Sequence, residues 1–207
     1  MGAKGWAEAL TFGEGRAKVN LAPRTSPPRF HRIMVHYDFH KEFRGIYDKA
    51  LKLYTAGKRD VQEYFSKHEL VFLASIGSRA QDLFDYAEDA CGSGEPDFDT
   101  ALLIQHVRRS YFLLVQKNAP SPVILDEATM PAKTDAIRGI EWLPRLIPKA
   151  RAKLRGELPR SLMYDCGGDR RFFKQYDINP AEFLQVVWHS GDNDKAIVDW
   201  VEKRGKF

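Results

Sequence analysis

The chain reads as an all-α protein: an N-terminal antiparallel helical bundle and a smaller C-terminal helical module, preceded by an extended basic arm. Two observations carry that expectation. Apolar residues recur at three- and four-residue steps through most of the sequence after Phe39, which is the period of a helix with one buried face. Helix-start signals with an acid three residues after a capping residue appear repeatedly, with short connections between the periodic runs, as in a bundle.

Residues 1–33 form the arm. They hold Lys4, Arg16, Lys18, Arg24, Arg29 and Arg32 against Glu8 and Glu14, a net charge of +4, which leaves 26 charges of each sign on the remainder. A neutral body with a cationic leader can be drawn to an acidic partner through the leader alone. The segment LAPRTSPPRF is extended, because Pro27 and Pro28 push their predecessors out of the helical region. Trp6, Phe12 and Phe30 among the basic residues suggest that the arm docks on something.

Residues 34–120 are the expected bundle. Phe39, Phe43, Ile46, Ala50 and Leu53 mark a first helix, closed near Gly57. Asp60–Glu63 and Ser66–Glu69 have capping-box spacing. The second opens a long stripe of Leu70, Leu73, Ile76, Ala80, Leu83, Ala87 and Cys91, with Gly77 as a possible bend. GSGEPDFD interrupts it, and Asp97 or Asp99 caps a helix over about 100–117 with Leu103, Ile104, Val107, Tyr111 and Leu114 inward.

Residues 121–207 are the expected C-terminal module, entered through a Pro-rich linker without a clear period. Trp142-Leu-Pro144 opens a basic helix. Leu143, Leu146, Ile147, Ala150 and Leu154 form its apolar face, and Gly156 ends it. Pro148 cannot donate to the carbonyl of Pro144, so the helix either kinks or begins at Pro148. Asn179-Pro180-Ala-Glu182 is the strongest helix start in the chain. Its helix stops near Gly191, and another begins around Asp194.

Gly139–Arg151 (GIEWLPRLIPKAR), Lys153, Gly156, Tyr164-x-Cys166-x-x-Asp169, Phe172-Phe173, the helix start from Asp177-Ile178 to Phe183, and Trp200-Val201 occur in that order. Over roughly residues 131–207 this series resembles an uncharacterised bacterial family, domain of unknown function 5069. The resemblance implies a small helical fold in a bacterial cytoplasm and no particular activity. The chain departs from the family at Pro148, where an acid is usual, and at Cys166-Gly-Gly-Asp169, where the family has Cys-Pro-Leu-Asp.

Composition narrows the function classes. With 43% hydrophobic and 29% charged residues the chain is ordinary globular material. No run approaches the ~18 apolar residues of a transmembrane segment, and the N-terminus lacks the apolar core of a signal peptide. Cys91 and Cys166 are too few for a disulfide framework or a zinc site, so a reduced, cytoplasmic protein is expected. No phosphate loop, nucleotide fingerprint or catalytic triad order is visible, and no cofactor is expected.

The cationic positions expected to meet a partner are Arg16, Lys18, Arg24, Arg29 and Arg32 on the arm, with Arg145, Lys149, Arg151, Lys153 and Arg155 on the basic helix. The partner would be an acidic protein, such as a complex subunit, or a ribonucleoprotein, held without catalysis. The alternative is a small-molecule or catalytic pocket around Tyr164, Cys166, Asp169 and Arg170, with Arg145 at its edge. A cysteine flanked by arginines at a helix start is a pattern found among reactive thiols, and a small packed cysteine is the competing explanation. His36, Asp38 and His40 have the alternate spacing of metal ligands, with His68, Glu69 or His106 as possible further donors. Asp38 serving as a helix cap explains the same residues without a metal.

Overall fold

The computed structural model describes residues 37–205, which lie in one compact unit. Residues 1–36, with the arm and His36, lie outside the described residues. The fold is all-α apart from one small hairpin. Its elements are α1 (Phe39–Thr55), α2 (Lys67–Ser75), α3 (Ala80–Ser93), α4 (Phe98–Leu114), β1 (Ala136–Ile137), β2 (Ile140–Glu141), α5 (Leu143–Arg155), α6 (Gly167–Gln175), α7 (Pro180–Ser190) and α8 (Asp194–Arg204), with short 3-10 turns at Val61–Glu63 and Glu127–Thr129.

Local chemistry fixes most of the boundaries. Ser66 accepts from the Glu69 N–H while Glu69 Oε2 accepts from the Ser66 N–H, so the capping box that opens α2 is formed. Asn179 and Asn193 accept from the N–H groups of Ala181 and Ala196 to start α7 and α8. Gly156 closes α5 in the left-handed region.

Three expectations are corrected. The long stripe from Leu70 to Cys91 is two helices, because Gly77 turns left-handed at φ 69° and Asp82 then caps the Arg79 N–H at 2.8 Å. On α4, Leu103 and Leu114 are exposed, and the buried face runs through Ala101, Ile104, Gln105, Val107, Arg108 and Phe112. Two polar side chains inside that face had shifted its apparent phase. Pro148 neither starts nor breaks α5, which runs through it from Leu143. The linker also ends in a hairpin, Ile137 opposite Ile140, whose turn residues Arg138 and Gly139 both have positive φ, the geometry that matches strand twist.

Apolar burial falls into two clusters. One gathers α1, α2 and α3 with Ala101 of α4; the other gathers α5 to α8 with Ile104 and Val107 of α4. The chemistry lies where α3 faces α5 and α6.

Candidate functional site

Two buried ion pairs anchor α5. Lys149 is 2% exposed, and its Nζ donates to both carboxylate oxygens of Asp169 at 2.9 Å. Asp169, fully buried, also accepts from Trp142 Nε1 and from the Asp165 N–H, both at 2.9 Å. All its strong acceptor positions are therefore occupied, which such a pair needs to offset its desolvation. One helical turn on, Lys153 Nζ reaches Asp82 of α3 at 3.2 Å, and Arg79 reaches the same carboxylate at 3.5 Å. Burial alone would raise the Asp82 carboxyl, but Lys153 and Arg79 bring it down to about 2. Burial pulls the Lys153 ammonium down despite Asp82, with Arg79 and Arg108 adding repulsion. The acid is held down by two cations, and the lysine is held down by its burial.

The expected cationic ridge on α5 is thus largely internal. Lys149 and Lys153 are buried, Arg145 donates to the Pro131 carbonyl at 2.8 Å, and Arg151 is held by the Gly191 carbonyl and Asp194. Arg155 is exposed. The reason is spacing: residues 149 and 153 lie four apart, beside the buried Ala150 and Leu154, so both chains meet acids on the helices that cover α5. Arg16, Lys18, Arg24, Arg29 and Arg32 lie outside the described residues.

Above the Lys149–Asp169 pair opens a cleft of about 550 Å³. α3 lines it with Asp85, Glu88 and Asp89, α5 and its N-cap residue with Trp142, Arg145 and Lys149, and α6 and its N-cap residue with Cys166, Gly168 and Arg171. Lys133, Arg160 and Glu127 complete the rim. Cys166 is the N-cap residue of α6, and its Sγ lies 3.4 Å from Lys149 Nζ. Lys149 is immobilised by Asp169, so the sulfur faces a fixed donor. Across the cleft, burial pushes the Asp85 carboxyl up to about 6, with Gln81 opposing at 2.6 Å and Asp82 adding to the shift. The cleft therefore sets a half-buried thiol, an acid held above the usual carboxylate range and several cations around one space.

Of the pocket residues expected from sequence, Arg145 and Cys166 line this cleft, while Asp169 lies beneath it. Tyr164 is a core residue whose hydroxyl donates to the Pro180 carbonyl at 2.8 Å. Arg170 turns toward α3: it pairs with Asp89 at 3.0 Å and donates to the Asp165 carbonyl. Asp38 precedes α1 and pairs with Lys41, His40 is exposed, and His106 stacks on Phe39. Among the described residues, no group of three or more His, Cys, Asp or Glu side chains is placed to hold a metal ion.

Sequence reasoning missed Trp142 and the acids of α3. Trp142 was legible only as a helix-start residue, yet its indole N–H binds the central carboxylate. Asp85 and Asp89 lie four apart, on the face that a helix would turn away from Leu83 and Ala87, and nothing in the sequence says what stands opposite.

Among the described residues no helix is long and apolar enough to cross a membrane. No curated protein and no solved structure matches the chain. The ordered motifs from Gly139 onward do correspond to a known family: residues 129–207, from the second 3-10 turn through α8, match the model described as Domain of unknown function (DUF5069).

Proposed function

We propose that the protein is a small-molecule-binding domain whose ligand lies in the cleft between α3, α5 and α6, beside Cys166. The observation that carries this reading is the fixed Trp142–Asp169–Lys149–Cys166 chain of contacts beneath an open space of about 550 Å³. That volume suits a metabolite-sized molecule. Acids on the α3 wall and cations on the α5 and α6 walls suit a ligand carrying charge of both signs, with Trp142 against its apolar part.

The test uses the full chain and a panel of zwitterionic metabolites. A cleft ligand raises the melting temperature and slows iodoacetamide modification of Cys166, read by mass spectrometry, by about tenfold. That protection corresponds to about 90% occupancy, a ligand near ten times its Kd. Cys91, exposed on α3, keeps its own rate and serves as the internal control. Arg145→Met weakens the protection. Stabilising ligands that leave Cys166 unprotected would move the binding elsewhere, and a panel without any stabilising member counts against the reading.

A second reading rests on the charge distribution. Residues 1–33 carry +4 while the rest of the chain is neutral, which favours an accessory role in which the leader meets an acidic protein subunit or a ribonucleoprotein. The two readings are compatible, since they use different parts of the chain.

A further inference from the structure

Four cations are buried among the described residues: Arg108, Lys149, Lys153 and Arg170. Lys149, Lys153 and Arg170 each meet a carboxylate within 3.2 Å. Arg108, 3% exposed on α4, has none within 4.0 Å among the described residues. Its Nη1 donates to Gln116 Oε1 at 2.7 Å, and its Nε has no partner among the described residues. A guanidinium taken out of water without an anion is costly. Burial accordingly lowers Arg108 to about 10.

The backbone is shaped to admit this side chain. A Cβ on Gly77 would stand 2.7 Å from Phe112 Cγ and 3.0 Å from Arg108 Cζ, and one on Gly156 would stand 2.7 Å from Arg108 Nη2. Both glycines have positive φ, at 69° and 74°, so the turn after α2 and the end of α5 form a slot only glycine can line. Beside the slot lies a cavity of about 390 Å³. Arg79, Arg108 and Arg155 line it together with Ser121, Phe112 and Ile124, and no Asp or Glu is among the described residues that line it. The Arg79 Nε is also buried without a partner among the described residues. The nearby acids are committed elsewhere: Asp82 is shared by Arg79 and Lys153, and Glu157 accepts from Ser121 Oγ at 2.6 Å.

We infer that this second cavity is an anion site, taking the carboxylate or phosphate of a small molecule on Arg108, Arg79 and Arg155, with Phe112 and Ile124 against its apolar part. The planar guanidinium fork is matched to either oxyanion. The site is separate from the cleft beside Cys166, and neither depends on the other.

The test is a thermal melt of the full chain in inorganic phosphate, acetate or benzoate against chloride at equal ionic strength. At least one oxyanion should raise the melting temperature by about 2–4 °C near saturation. Phosphate acting without the carboxylates identifies a phosphate ligand. Benzoate exceeding acetate identifies a carboxylate with an apolar body. Arg108→Gln should melt no lower than the parent in chloride, because an uncompensated charge is gone, and should lose the oxyanion response. Arg155→Gln, at an exposed position that leaves folding intact, should weaken apparent affinity severalfold and decides the question should Arg108→Gln fail to fold. No oxyanion shift beyond chloride, or a shift retained in the variants, overturns the inference.

Discussion

Asp165 stands at the bend into α6 with φ 68°, a left-handed backbone that Asp and Asn tolerate better than most residues. It is 1% exposed, and its Oδ2 has no hydrogen-bond partner among the described residues. Burial raises its carboxyl from 3.8 to about 7, with Arg170 opposing and Asp169 adding. Between those values the folded protein keeps a proton that the unfolded chain has released. The contribution to stability is therefore complete below pH 3.8 and is lost as pH rises through about 7. Asp165→Asn keeps the backbone preference and removes the titration. It should raise the melting temperature by several degrees at pH 8, by clearly less at pH 5 and little below pH 4, in melts across that range; equal shifts at every pH would show that the carboxyl does not titrate there. The sequence picked out Asp169 as a position of the Tyr164-x-Cys166-x-x-Asp169 series and passed over Asp165, four residues earlier. One is fully hydrogen-bonded and the other is not, and that difference arises from tertiary packing.

At the level of elements, the first turn of α6 is fitted to Trp142 of the preceding helix start. A Cβ on Gly168 would lie 2.4 Å from the indole ring. Alanine in place of a helical glycine usually stabilises by about 1 kcal/mol. Here Gly168→Ala must displace the ring that hydrogen-bonds Asp169 and lines the cleft, so a loss of about 1–3 kcal/mol in urea denaturation is expected; a gain would show that Trp142 moves aside freely. Caps and periodicity made α1, α7 and α8, the start of α2 and the end of α5 legible in the sequence, because Ser66, Asn179 and Gly156 act on their own neighbours. The break at Gly77 and the inward face of α4 were less so. Gln105 and Arg108 are polar residues at helical spacing from Ala101, Ile104 and Phe112, and a reading that tracks only apolar residues passes over them.

At the level of the whole molecule, the charge asymmetry is the feature with the widest reach. Deleting residues 1–33 removes all of the net +4. If the leader recruits an acidic partner, the truncated chain should lose co-purification that the full chain shows at low salt and gives up by about 0.5 M, where screening shortens to a few ångströms. Identical capture by both chains at every salt concentration would remove that role. The candidate cleft was only half visible in advance. Arg145 and Cys166 belonged to one recognisable segment, whereas Asp85, Glu88 and Asp89 come from an unmatched part of the sequence some 60 residues earlier. No local signal joins the two.

α4 offers Ala101 to one apolar cluster and Ile104 and Val107 to the other. It works as a party wall: neither room can be emptied without opening the next. The stretch recognisable as a family, beginning at residue 129, is thus no detachable cartridge in this chain. Excised by itself it would present a bare greasy flank where that wall had stood, and any relative built from this stretch alone must cover the same flank by other means.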